Sequence, residues 1–182
     1  QLEKINERTR ELVTLQYNTY NRSLVPLMHQ HGIVVMDAFE DLSEAQAAFV
    51  DRYFEDNVYP VLTPMAVDAS RPFPLIRNKT LNIAALLSKK KGKAEKEEIE
   101  FATVQVPSVL PRLVHIPSED GNEKTFILLE QVIERNIDKL FLNYDVLCAY
   151  PYRVMRNADL SIDEDEAADL LKEIQKQLKM RQ

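Results

Sequence analysis

Apolar residues recur at helical spacing from the start of the chain. Val13, Tyr17, Tyr20 and Leu24 form one seam, widened by Leu2, Ile5, Leu12 and Leu15, which predicts an amphipathic helix over residues 2 to about 24. Pro26 interrupts or restarts that helix, and Gly32 suits the left-handed residue that closes a last turn. A short apolar stretch, Ile33 to Met36, leads away. Ser43, Glu44, Ala45 and Gln46 then have the form of a capping box, and Ala47, Phe49, Val50, Tyr53 and Phe54 carry a second amphipathic helix to about Asn57. From Asn57 to Leu87 the pattern breaks. Pro60, Pro64, Pro72 and Pro74 each fix φ and push the preceding residue out of the helical region, so this stretch is expected to be extended throughout and to mark a domain boundary.

Beyond the prolines the period changes to that of strands. Leu81 to Ser88, Glu100 to Val106, Leu113 to Ile116 and Thr125 to Leu128 are short, apolar or β-branched segments of strand length, and together they imply a sheet. The run from Lys89 to Glu98, with Ala94 its sole apolar residue, reads as a solvated hairpin loop, and Gly121 with Asn122 marks another turn. Leu129 to Leu142 predicts a short helix through Val132, Ile133, Ile137 and Leu140, and Val146 to Met155 returns to strand. Ser161 or Asp163 caps a final helix whose acids come first and bases last, matching the macrodipole. Its apolar face is Ala167, Leu171, Ile174 and Leu178.

Composition adds few constraints. A hydrophobic fraction of 45% and a charged fraction of 29% are those of a globular chain, and 182 residues hold one domain or a small domain with part of another. The net charge of −6 gives no overall attraction to nucleic acid, polyphosphate or an anionic membrane, so any polyanion contact must use a local basic patch. A single cysteine, Cys148, cannot form an internal disulfide; it reads as a buried thiol in a reducing, cytoplasmic setting. No run reaches the roughly 18 apolar residues that would span a bilayer, and no signal peptide is evident. The chain opens on Gln1 and ends inside a helical pattern, which predicts that both ends are cut from something longer.

Candidate chemistry is sparse. Asp163 to Glu166 are consecutive helical positions that point in different directions, so they read as a helix start and not as a metal site. His29, His31 and His115 lack zinc-ligand spacing, and the first two suit a helix end, where a cation is favoured. Gly32, Gly92 and Gly121 are the three glycines of the sequence, too few and too scattered for a phosphate-cradling loop, and no nucleophile stands beside a base. The chain therefore reads as non-catalytic, with no cofactor or metal bound by its own residues. What remains is basic: Arg71 and Arg77 flank P-F-P-L-I, and Arg153 and Arg156 lie in Y-P-Y-R-V-M-R-N, both on rigid or strand-like backbone. These four arginines are the candidate polyanion contacts, with ordinary surface or interface salt bridges as the bland reading. Glu95, Glu97 and Glu98 largely neutralise the Lys89 to Lys93 cluster.

The combination Y-P-V-L-T-P-M-A-V-D with R-P-F-P-L-I-R-N-K-T-L-N-I-A-A-L-L closely resembles the segment that opens the head, or middle, domain of bacterial polyphosphate kinases of the first class. The likeness extends back through L-Q-Y-N-T-Y-N-R-S-L-V-P-L and L-S-E-A-Q-A-A-F-V-D-R-Y-F, which resemble the end of the family's helical N-terminal domain. It runs forward through F-A-T-V-Q-V-P-S-V-L-P-R-L-V and Y-P-Y-R-V-M-R-N-A-D-L. The resemblance implies an α+β chain: an N-terminal helical hairpin over residues 1–58, then a two-layer α/β sandwich head domain over 59–182 with a mostly antiparallel sheet, cut short at its C-terminal end. It implies a cytoplasmic parent enzyme, with any membrane association arising through the parent complex. That enzyme moves the terminal phosphate of ATP reversibly onto polyphosphate through a phosphohistidine, using Mg2+. It also implies a homodimer and a polyphosphate tunnel walled in part by the head domain. The family's catalytic residues lie outside this segment, so no catalytic residue is carried over, and no nucleic-acid partner is implied. A stand-alone module binding a polyanion or a partner protein through the four arginines is the competing reading.

Overall fold

The computed structural model describes residues 1–67, 76–89, 99–118, 121 and 123–155. The chain divides into two compact units, residues 1–50 with 113–128, and residues 51–112 with 129–182. The α+β class is as expected, and the predicted N-terminal helices are present.

In the first unit, α1 (Leu2–Thr19) runs into a π turn (Tyr20–Leu24) and then α2 (Val25–Gln30). The cause of the π turn is Pro26. A proline ring collides with the carbonyl four residues back, and widening the preceding turn by one residue relieves that collision, so the Val25 N–H reaches the Tyr20 carbonyl. Gly32 closes the helical region at φ 68°, in the left-handed conformation expected of it. No residue of α1 is buried. The apolar stretch that follows becomes a strand, β1 (Ile33–Val35), which pairs in parallel with β6 (Lys124–Leu128). β6 in turn pairs antiparallel with β5 (Leu113–Ile116). The buried residues of β5 and β6 are Val114, Ile116, Thr125 and Ile127, while His115 faces outward with its ring 5.3 Å from that of Phe126. The predicted capping box is present: the Gln46 N–H donates to Ser43 Oγ (3.4 Å) and the Ser43 N–H to Gln46 Oε1 (3.2 Å), opening α3 (Glu44–Tyr53).

In the second unit, a second π turn (Phe54–Val58) again ends two residues before a proline, with the N–H of Tyr59, the residue before Pro60, bonded to the Phe54 carbonyl. Here the expectation of unbroken extended chain from Asn57 is corrected, because Asn57 and Val58 belong to the π turn and Tyr59–Val61 form a 3-10 turn. Pro60 sits in its first positions, where a missing N–H leaves no partner unmet. Extended chain begins at Leu62 and leads into β2 (Pro64–Val67), an edge strand among the described ones, whose proline occupies its first position, the place where a strand tolerates it. The sheet order is β2-β4-β3-β7, with β3 (Leu81–Lys89), β4 (Ile99–Gln105) and β7 (Tyr144–Arg153), all antiparallel. The strands thus form two sheets, since β5 and β6 pair with the unforeseen β1. One sheet face carries Ile83, Ala85, Leu87, Ala102 and Val104 in alternation, all buried. α4 (Leu129–Arg135) is shorter than the predicted helix. Asn136 stops it by turning its side chain back to the Val132 carbonyl (3.1 Å), and a 3-10 turn (Ile137–Leu140) follows.

Candidate polyanion-binding corner

Two sets of charged side chains stand out among the described residues of the second unit. The first is paired. Arg112 donates through Nε to Glu130 Oε1 (3.1 Å) and through Nη2 as well, and the Glu130 side chain is only 6% exposed while that of Arg112 is 57% exposed. Bonding to that carboxylate raises the Arg112 pKa above its ordinary value. Asp51 and Glu55, one turn apart, meet Arg135 and Lys139. Arg135 binds Asp51 with two parallel bonds of 2.8 and 3.0 Å, and Lys139 reaches Glu55 at 2.8 Å with its ammonium 5.8 Å from the Phe54 ring centroid. The Arg135 hydrogen bonds hold the Asp51 carboxyl below the usual carboxylate range, and those same bonds raise the Arg135 pKa.

The second set stands at the corner where β3 begins and β7 ends. Residues Arg77 to Thr80 form a tight turn. The Thr80 N–H donates to the Arg77 carbonyl (3.4 Å), and Thr80 Oγ1 donates to the same oxygen (2.8 Å). Asn82 is buried, and its amide pins the turn by donating to the Thr80 carbonyl (3.0 Å) and to Thr80 Oγ1 (3.1 Å). The Lys79 N–H donates to the Val154 carbonyl (2.8 Å), while Leu81 lies opposite Arg153 in the β3/β7 ladder. The end of β7 is tied from the other side, where the Tyr152 hydroxyl lies 2.7 Å from the hydroxyl of the fully buried Thr103 on β4. Arg77 and Arg153 are therefore exposed side chains on backbone held by hydrogen bonds, and among the described residues neither makes an ion pair. Of the four predicted arginines these two are brought to one corner; Arg71 and Arg156 lie outside the described residues. Sequence reasoning missed Lys79, and its signal is conformational, at φ 62°.

The other candidates are dispersed. His29 lies in the last turn of α2, with His31 the residue that ends it, and His115 is exposed on β5. Cys148 is half-buried on β7 instead of fully buried. Lys89 ends β3, whereas Lys90 to Lys93 and the acids Asp163 to Glu166 lie outside the described residues. Among the described residues no three His, Cys, Asp or Glu side chains group as a metal site would need, and Gly32 and Gly121 are isolated turn residues. No step is assigned to Mg2+ or ATP among the described residues. No described helix is long and apolar enough to cross a membrane.

Over its full length the chain is 50% identical to the polyphosphate kinase of Lactiplantibacillus plantarum, of which it covers 24%. It is 45% identical to that of Bacillus anthracis, of which it covers 26%. It superposes on the crystal structure of polyphosphate kinase from Porphyromonas gingivalis with a TM-score of 0.71 at 26% identity, over 95% of this chain and 28% of that one. The chain thus spans about a quarter of the length of the curated relatives it matches. The family described as the polyphosphate kinase middle domain matches residues 45–182, and the chain belongs to that family.

Proposed function

We propose that the chain is a segment of an ATP:polyphosphate phosphotransferase that supplies architecture and phosphate-chain contacts and leaves the chemistry to the rest of the parent protein. In this reading residues 1–58 close the helical N-terminal domain and 59–182 belong to the head domain. The whole-length identity to polyphosphate kinases carries the proposal. The parent reaction breaks the bond from the γ-phosphorus of ATP to its bridging oxygen and forms a bond to a histidine nitrogen outside this chain. ADP leaves, and the phosphoryl group then passes to the terminal oxygen of polyphosphate, with Mg2+ offsetting charge. Arg77 and Arg153, with Arg71 and Arg156, contribute to the wall along which the phosphate chain lies, in a cytoplasmic homodimer.

The test is direct. The full-length protein, given ATP and Mg2+, should build polyphosphate and carry acid-labile, base-stable phosphate, while residues 1–182 alone should do neither. Absence of polyphosphate synthesis by the full-length protein would overturn the assignment, and turnover by residues 1–182 would overturn the division of labour.

A further inference from the structure

Lys79 is, among the described residues, the sole non-glycine residue with positive φ, at 62°. The left-handed conformation costs an ordinary L-residue about 1 kcal/mol, glycine nothing, and asparagine little. The turn explains the conformation, since the positive φ lets the chain swing so that the Lys79 N–H meets the Val154 carbonyl. It does not explain the residue. An asparagine is even present one position earlier, at Asn78, yet the left-handed position itself holds a lysine. A strained conformation kept by a long cationic side chain suggests a use for that side chain.

Its surroundings suggest which use. Arg77 begins the same turn, Arg153 stands across the ladder from Leu81, and all three side chains are exposed. None makes an ion pair among the described residues, as is also true of Arg52 and Lys89 elsewhere in the unit, whereas Arg112, Arg135 and Lys139 are paired; what sets these three apart is that one corner holds them together. The turn that carries two of them is fixed by Asn82 and Thr80, so little backbone freedom is lost when a ligand binds. We propose that Lys79, with Arg77 and Arg153, forms a three-cation subsite for an extended phosphate chain. This rests on the family reading given above and adds a residue and a geometry to it. An open, preorganised corner suits a linear polyanion with repeating charge. A compact nucleotide binds better in an enclosed pocket. Lys79 supplies a point charge that need not match one phosphate geometry, whereas the arginines offer forked donors.

The experiment is a titration of the full-length protein with linear polyphosphate over a salt series, and in parallel with ATP, for wild type, Lys79→Gly, Lys79→Asn, Lys79→Arg and a control in the other unit, Lys4→Gln. Glycine and asparagine preserve the turn, so both variants should melt at or above the wild-type temperature. Both should bind polyphosphate about two- to fivefold more weakly, as expected for loss of one exposed charge pair, with the salt slope reduced by about one. Lys79→Arg should keep most of the affinity, Lys4→Gln all of it, and ATP binding should not change. Wild-type polyphosphate affinity and slope in Lys79→Gly would overturn the subsite while leaving the family reading intact. Weakening of ATP binding alone would reassign the corner to the nucleotide. If the wild-type protein binds no polyphosphate, both the subsite and the family reading fail.

Discussion

Two groups of cations in the same unit teach different things. Arg112, Arg135 and Lys139 each meet a carboxylate, and one of those carboxylates, Glu130, is almost wholly buried. Arg77, Lys79 and Arg153 are exposed on a turn and strand end that hydrogen bonds hold in place, without carboxylate partners among the described residues. The first group holds packed elements together, and the second is placed where it adds little to folding and is open to an anion. A cation's value to the fold follows from what its removal would strand. Removing Arg112 leaves a buried carboxylate unpaired, whereas removing Arg153 leaves nothing unpaired that is described.

The sharpest way to break this contrast is Arg112→Ala. It strands Glu130, and the expected loss is about 3 kcal/mol. That is a fall in the melting temperature of the full-length protein of roughly 6–12 °C if this unit sets the transition. A fall no larger than that of an exposed charge deletion would show the pair to be ornamental. Next comes Asp51→Asn, expected to cost about 1 kcal/mol near neutral pH because the pair is partly exposed. Its pH dependence has a definite sign. The folded-state pKa of Asp51 lies below its unfolded value of about 3.9, so the stabilisation is fully present above that value and is lost as pH falls through the folded pKa. The wild-type and Asp51→Asn melting temperatures should therefore differ by a constant amount above about pH 5 and converge in more acidic solution. Glu55→Gln should cost only a few tenths of a kcal/mol, since its partner Lys139 keeps both water and the Phe54 ring. A larger loss would mean that Lys139 depends on the carboxylate more than its exposure implies.

Much of this fold was legible because local chemistry and tertiary structure agree. Ser43 and Gln46 cap α3 as their spacing implies, Gly32 takes the left-handed turn, and the alternation of Ile83, Ala85 and Leu87 gives both the strand and its buried face. The misses have physical causes. Ile33–Val35 is too short to show a period, and its strand character depends on β6, some ninety residues away. Prolines are expected to break a helix, but Pro26 and Pro60 instead widen the turn before them, and Pro60 then opens a helical turn. Asn136 ends α4 by a side-chain bond to the backbone that an apolar pattern does not reveal.

The candidate corner was half legible. Arg77 and Arg153 could be named as cations on stiff backbone, but they lie 76 positions apart in number and are joined only by the β3/β7 register. Lys79 was hidden, because nothing in R-N-K-T tells which residue takes positive φ.

The central claim, that paired cations hold the fold and unpaired ones hold a phosphate chain, is tested most directly by Arg77→Ala/Arg153→Ala in the full-length protein, melted and titrated with polyphosphate over a salt series. The account predicts a melting temperature within about 2 °C of wild type, because no described ion pair is lost. It also predicts weakened binding whose salt slope falls by about two. Unchanged affinity and slope, or a loss of affinity accompanied by a fall in melting temperature as large as that of Arg112→Ala, would contradict it.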